Sequence, residues 1–124
     1  MNLNKLAESI YNANKEKGFW AQERNVGETL MLVVTELAEA MEVHRKTGDI
    51  RIDSASKQMV ENVSEDLFPS TFVMLAKDTF GDEIADALIR IFDLAGGFGI
   101  DLNFHVSQKL RYNATREHKH GKKY

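Results

Sequence analysis

Apolar residues recur along this chain at spacings of three and four, the signature of helices that bury one face. Leu3, Leu6, Ile10 and Ala13 form one such stripe. They predict a first helix from about Asn4 to Lys17, with Gly18 as its stop. A second helix is expected at roughly Val26 to Thr47, ending before Gly48 and Asp49. On a wheel of about 100° per residue, Leu30, Val33, Val34, Leu37, Met41 and His44 share an arc. That arc reads as the core face, with His44 as a satisfied packing histidine. A third helix is expected at roughly Asp82 to Ala95, with Ile84, Leu88, Ile91, Phe92 and Ala95 inward and Gly96-Gly97 as its stop. Asp101 reads as the N-cap of a fourth helix that reaches about Glu117.

Between the second and third helices the pattern loses a single period. IRID alternates briefly like a strand, SKQMVENVSEDL fits a short helix, and Pro69-Ser70 can open another before Gly81. About 30 residues without order would be unusual in a compact domain, so local structure is expected. One proline and few β-branched alternations predict an all-α protein. The expected architecture is a four-helix bundle with an irregular or partly helical excursion at about 49–80. A single domain is expected over 1–117, followed by a basic, mobile tail over 118–124.

Composition narrows the class. With 124 residues, 43% of them hydrophobic and 28% charged, the chain suits one folded domain with its own core. No apolar run approaches the ~18 residues that span a bilayer. The opening MNLNKLAESI lacks a basic patch followed by an apolar segment, so a cytoplasmic location is expected. Cysteine is absent, which removes disulfides and thiolate metal sites. Residues 1–100 carry 10 Lys+Arg against 17 Asp+Glu, while residues 101–124 carry 6 against 2. A basic end on an acidic body suits a solvated tail, nucleic-acid binding, or closure over an anionic ligand.

The acids bring in chemistry. Glu42 falls on the watery side of the second helix, with Glu28, Thr35 and Lys46. Glu36 and Glu39 instead share a stripe with Leu32 and Val43 at the border of the core arc. The third helix repeats this: Glu83 and Asp86, again three apart, share a stripe with Arg90, Asp93 and Leu94. Either pair alone fits a solvated face laced with ion pairs. Together, on packed helices, four carboxylates would converge, a destabilising arrangement without a cation. Mg²⁺ suits such oxygen donors and shares its sites with phosphates. No histidine follows any of these acids by three residues, which disfavours a di-iron bundle. From the residues alone, a metal site and an acidic surface both remain open.

The motifs TELAE (Thr35 to Glu39) and EIAD (Glu83 to Asp86) make the chain resemble the MazG-like, all-α nucleoside triphosphate pyrophosphohydrolases. That superfamily includes the dCTP pyrophosphatases and dimeric dUTPases. Its pattern is Glu-Glu-x-x-Glu on one helix and Glu-x-x-Asp on another. The flanking GFW…RN at 18–25, DEIADALIRIFDLAG and KLRYNATREHKHGKKY are similar too, so the likeness covers most of the chain outside 49–80. Two departures stand out: the first Glu of the pattern is Thr35 here, and the motifs lie farther apart than in many members.

The resemblance implies hydrolysis of an NTP or dNTP to the monophosphate and pyrophosphate, with nucleotide-pool housecleaning as a role. It implies Mg²⁺, or Mn²⁺, held by Glu36, Glu39, Glu83 and Asp86, with Glu36 or Glu39 orienting a water or accepting its proton. On the fourth helix Lys109, Tyr112, Asn113 and Arg116 share a stripe. Lys109 would meet phosphate and Asn113 the sugar or base, while Arg116, a further substrate-binding candidate, also fits an ordinary exposed face. Trp20 is placed between base-stacking and ordinary packing, and Arg90 between pairing with the acids and meeting phosphate. Leu32, Val43, Ile89 and Leu94 lie off the core arcs, and with the family they imply a homo-oligomer, dimer or tetramer. The contrasting expectation is a non-catalytic helical module for oligomerisation or nucleic-acid interaction.

Overall fold

The computed structural model describes residues 2–124, and all secondary structure among them is helical. Six α-helices follow in order: α1 Leu3–Glu16, α2 Val26–Thr47, α3 Ser54–Asn62, α4 Phe68–Leu75, α5 Phe80–Phe98 and α6 Leu102–Ala114. A short 3-10 turn, His118–Gly121, follows in the segment expected to be a mobile tail. No described helix is long and apolar enough to cross a membrane. The excursion at 49–80 is two helices, α3 and α4, packed against each other, and IRID forms no strand. Pro69 falls at the start of α4, where its missing N–H has no partner to lose.

Side-chain caps set most helix starts. Asn2, Asn25, Asp53 and Asp101 each accept a hydrogen bond from the backbone N–H three residues on. Gly48 ends α2 in the left-handed conformation, φ 72°, which costs glycine little.

The chain divides into two compact units. One comprises Glu23–Ile91, and the other the residues up to Gln22 with Phe92–Tyr124. In the second of these, α1 and α6 start side by side, and each asparagine caps the other's helix. Asn103 Oδ1 accepts from the backbone N–H of Leu3 at 2.8 Å, and Asn4 Oδ1 accepts from that of Asn103 at 3.1 Å. Asn4 Nδ2 also donates to Asp101 Oδ1 at 2.8 Å.

The expected stop at Gly96-Gly97 is not one: α5 runs through both to Phe98. The glycines serve close approach instead. A Cβ on Gly96 would lie 2.5 Å from the Ala7 carbonyl oxygen, and one on Gly97 would lie 2.1 Å from the Trp20 ring. The fourth helix is also shorter than expected, ending at Ala114.

The core arc of α2 is corrected too. Thr29, Val33, Glu36 and Ala40 are buried, whereas Leu30, Val34, Leu37 and Met41 are each about half exposed. His44 is exposed, its ring 6.4 Å from that of Phe80. On α5, Ala95 is buried as expected, but so are Glu83, Ala87 and Asp93, while Leu88 and Ile91 are exposed. On α2 the buried line is therefore turned by about 100° from the widest apolar arc, with Val33 common to both. On α5 the first turns are shifted the same way, while Ala95 keeps its expected place. Alanines, Val33 and acids face inward, and several large aliphatic side chains on these helices are exposed.

Alanine normally gains up to ~1 kcal/mol over glycine within a helix. At Gly96 the sign should reverse, because the Ala7 backbone cannot step aside cheaply. Gly96→Ala is expected to lose about 1–3 kcal/mol in denaturant melts. Gly81→Ala, with open space around it, should lose nothing.

Candidate metal centre

The buried lines of α2 and α5 supply the acids. In the Glu23–Ile91 unit, Glu36, Glu39 and Glu83 each present a carboxylate oxygen, and these oxygens lie within 4.8 Å of one another. Glu36 is 8% exposed and Glu83 only 4%, whereas Glu39 keeps contact with solvent. Three carboxylates at this separation repel, and two of them have lost most of their water.

The electrostatics record that crowding. Burial first, then a hydrogen bond and charge repulsion from Glu39, push the Glu83 carboxyl up to about 7. Asp86 is also raised, by burial and then by the charges of Asp82 and Glu36, with Arg90 opposing. It stands outside the tightest group yet feels the charges of both α2 acids. Arg90 is the cation at the centre: its Nε donates to Glu36 Oε1 at 2.6 Å. Thr35, where the family pattern has glutamate, is exposed and spends its hydroxyl on the Leu32 carbonyl.

The remaining expected site residues lie in the other unit. Lys109 Nζ sits 5.4 Å from the centre of the Tyr112 ring, and the Arg116 guanidinium 5.6 Å from it, so the predicted stripe does gather two cations around one aromatic. Arg116 also donates to the His120 carbonyl at 3.1 Å. Asn113 is partly buried, and its Oδ1 is buried without a hydrogen-bond partner. Trp20 is engaged in packing: its Nε1 donates to the buried Asp93 at 2.9 Å, and Tyr11 and Phe98 meet its ring edge to face. Asp93 escaped notice in the sequence, where it reads as one more acid on the stripe of Glu83.

Chemically, the Glu36–Glu39–Glu83 group is a set of hard oxygen donors with excess negative charge. It suits a hard divalent cation and offers nothing to a soft one.

A group whose folded pKa exceeds its unfolded value binds its proton preferentially in the folded state. For Glu83, stability is therefore highest below the ordinary glutamate range and is lost as pH rises toward about 7. Melts in EDTA should show a decline on the order of 3 kcal/mol between pH 4.5 and 7.5. Glu83→Gln should flatten that slope.

In comparison with known proteins, the chain matches no family model, no curated protein and no solved structure.

Proposed function

We propose that this protein is a Mg²⁺-dependent nucleoside triphosphate pyrophosphohydrolase of the MazG-like type, built on that family's helical bundle. The observation that carries the reading is the gathering of Glu36, Glu39 and Glu83 within 4.8 Å. These acids come from the two motifs, TELAE and EIAD, on which the resemblance rests. The donor set fits the metal: all oxygen, two of three residues buried, and one carboxyl raised to about 7 by burial and then by its acidic neighbours, whose repulsion a divalent cation would relieve.

Glu36, Glu39, Glu83 and Asp86 would hold Mg²⁺, or Mn²⁺ in its place. When bound, the ion supplies charge neutralisation of the triphosphate and a more acidic water. The chain's own residues divide the rest. Glu36 is committed to Arg90, whereas Glu39 faces solvent. Glu39 is thus the carboxylate that orients the attacking water and takes its proton. Water adds at phosphorus, the α–β anhydride bond breaks, and pyrophosphate leaves with the bonding electron pair. By the resemblance, Lys109 provides positive charge for the phosphates and Asn113 hydrogen-bonds sugar or base.

A homo-oligomer belongs to the same reading. No large side chain among the described residues is fully buried. The stripe Leu30, Val34, Leu37, Met41 has the spacing of a helix-packing seam. Beside it, Leu37, Met41, His44, Ile50, Phe80 and Ile84 line a groove of about 330 Å³. A second copy, carrying the same stripe, is its occupant.

With Mg²⁺ and a panel of NTPs and dNTPs, pyrophosphate release is expected for at least one nucleotide. Glu39→Gln and Asp86→Asn should each lower turnover by about 10²-fold or more with helicity intact. Normal turnover in both variants would remove the assignment, and no hydrolysis of any nucleotide would favour a non-catalytic module. In sedimentation, Leu37→Glu is expected to convert an assembled wild type to monomer. A monomeric wild type would contradict the second-copy occupant.

A further inference from the structure

Every acid in the metal centre is crowded by another, yet one basic side chain reaches in. Arg90 follows Glu83 by seven residues and Asp86 by four, so it emerges from the same face of α5. Its guanidinium crosses to α2 and meets Glu36 at 2.6 Å, where the Glu36 side chain is only 10% exposed and that of Arg90 is 36%. The contact is a charge-assisted hydrogen bond across two helices, fifty-four positions apart in sequence. Among the described residues of the cluster, Glu36 is the only acid so held. Glu39 and Glu83 have each other.

We propose that Arg90 is a positioning residue that pins the Glu36 carboxylate and serves as the internal counter-charge of the cluster before a divalent cation arrives. The proposal rests on the metal-centre reading above. Its physical basis is that a buried carboxylate without a cation is strongly unfavourable. Arg90 lets α2 and α5 pack around their acids when no ion is bound. It also holds one Glu36 oxygen in place while no ion is bound. Lysine is a poor substitute, because its ammonium lacks the planar, directed Nε–H that the geometry uses.

The test compares wild type, Arg90→Met, Arg90→Lys and the double variant Arg90→Met with Glu36→Gln. Melting temperature is read in EDTA and in saturating Mg²⁺, with Mn²⁺ binding followed by electron paramagnetic resonance. In EDTA, Arg90→Met should melt at least ~5 °C below wild type, and Arg90→Lys in between. Adding Glu36→Gln should restore most of the loss, which lost packing by the arginine stem would not explain. Mg²⁺ should raise the melting temperature of Arg90→Met by more than it raises that of wild type. If wild type binds Mn²⁺ but Arg90→Met shows the same melting in EDTA and the same Mg²⁺ response, the Arg90 role is overturned and the metal centre stands. If wild type binds no Mn²⁺ and shows no Mg²⁺ response, both are overturned. Should Arg90→Met not fold, Arg90→Lys carries the comparison: melting and Mn²⁺ affinity equal to wild type would overturn the role.

Discussion

Two carboxylates, Glu36 and Glu83, have been taken out of water on the inward lines of α2 and α5, and much else in this protein answers to that. Burying an ionised carboxylate costs several kcal/mol unless a cation or hydrogen bonds take the place of water. The chain meets the cost in three ways. It puts small residues, Ala40 and Ala87, on the same inward lines. It brings Arg90 to Glu36, and it leaves Glu39 near enough to hydrogen-bond Glu83. An arrangement chosen for stability alone would bury Leu30, Val34, Leu37 and Met41 there instead.

That choice explains why the aliphatic stripe is on the outside. One helix cannot turn the same face both toward the acids and toward an apolar partner, so each of α2 and α5 serves two surfaces about 100° apart. The inner one carries the buried acids and the outer one carries apolar area. A wheel drawn from hydrophobicity finds the outer surface because it is wider and greasier. Hydrophobicity alone does not distinguish a face buried within the chain from one left exposed, and Leu37 and His44 belong to the exposed face.

Other parts of the fold were legible for local reasons. The spans of α1 and α2 follow from Asn25, Gly18 and Gly48, whose capping chemistry acts within one turn. The i, i+3 spacing that puts both acids of each motif near one line was legible, whereas the packing that brings Glu36, Glu39 and Glu83 together was not. What lay beyond reach depended on distant partners. Gly96-Gly97 looks like a helix stop until Ala7 and Trp20 are found against it. The mutual capping of Asn4 and Asn103 joins residues ninety-nine positions apart. Arg90 was visible as a basic residue among acids, but its choice of Glu36 over Asp86 is a matter of side-chain reach across two helices.

The central claim is that Glu36, Glu39 and Glu83, with Asp86, form a cation site. Anomalous diffraction from crystals grown with Mn²⁺ addresses it without reference to turnover. The account predicts an anomalous peak at coordination distance, ~2.0–2.3 Å, from oxygens of at least three of these four residues. Ordered crystals in millimolar Mn²⁺ with no peak among these side chains would contradict it.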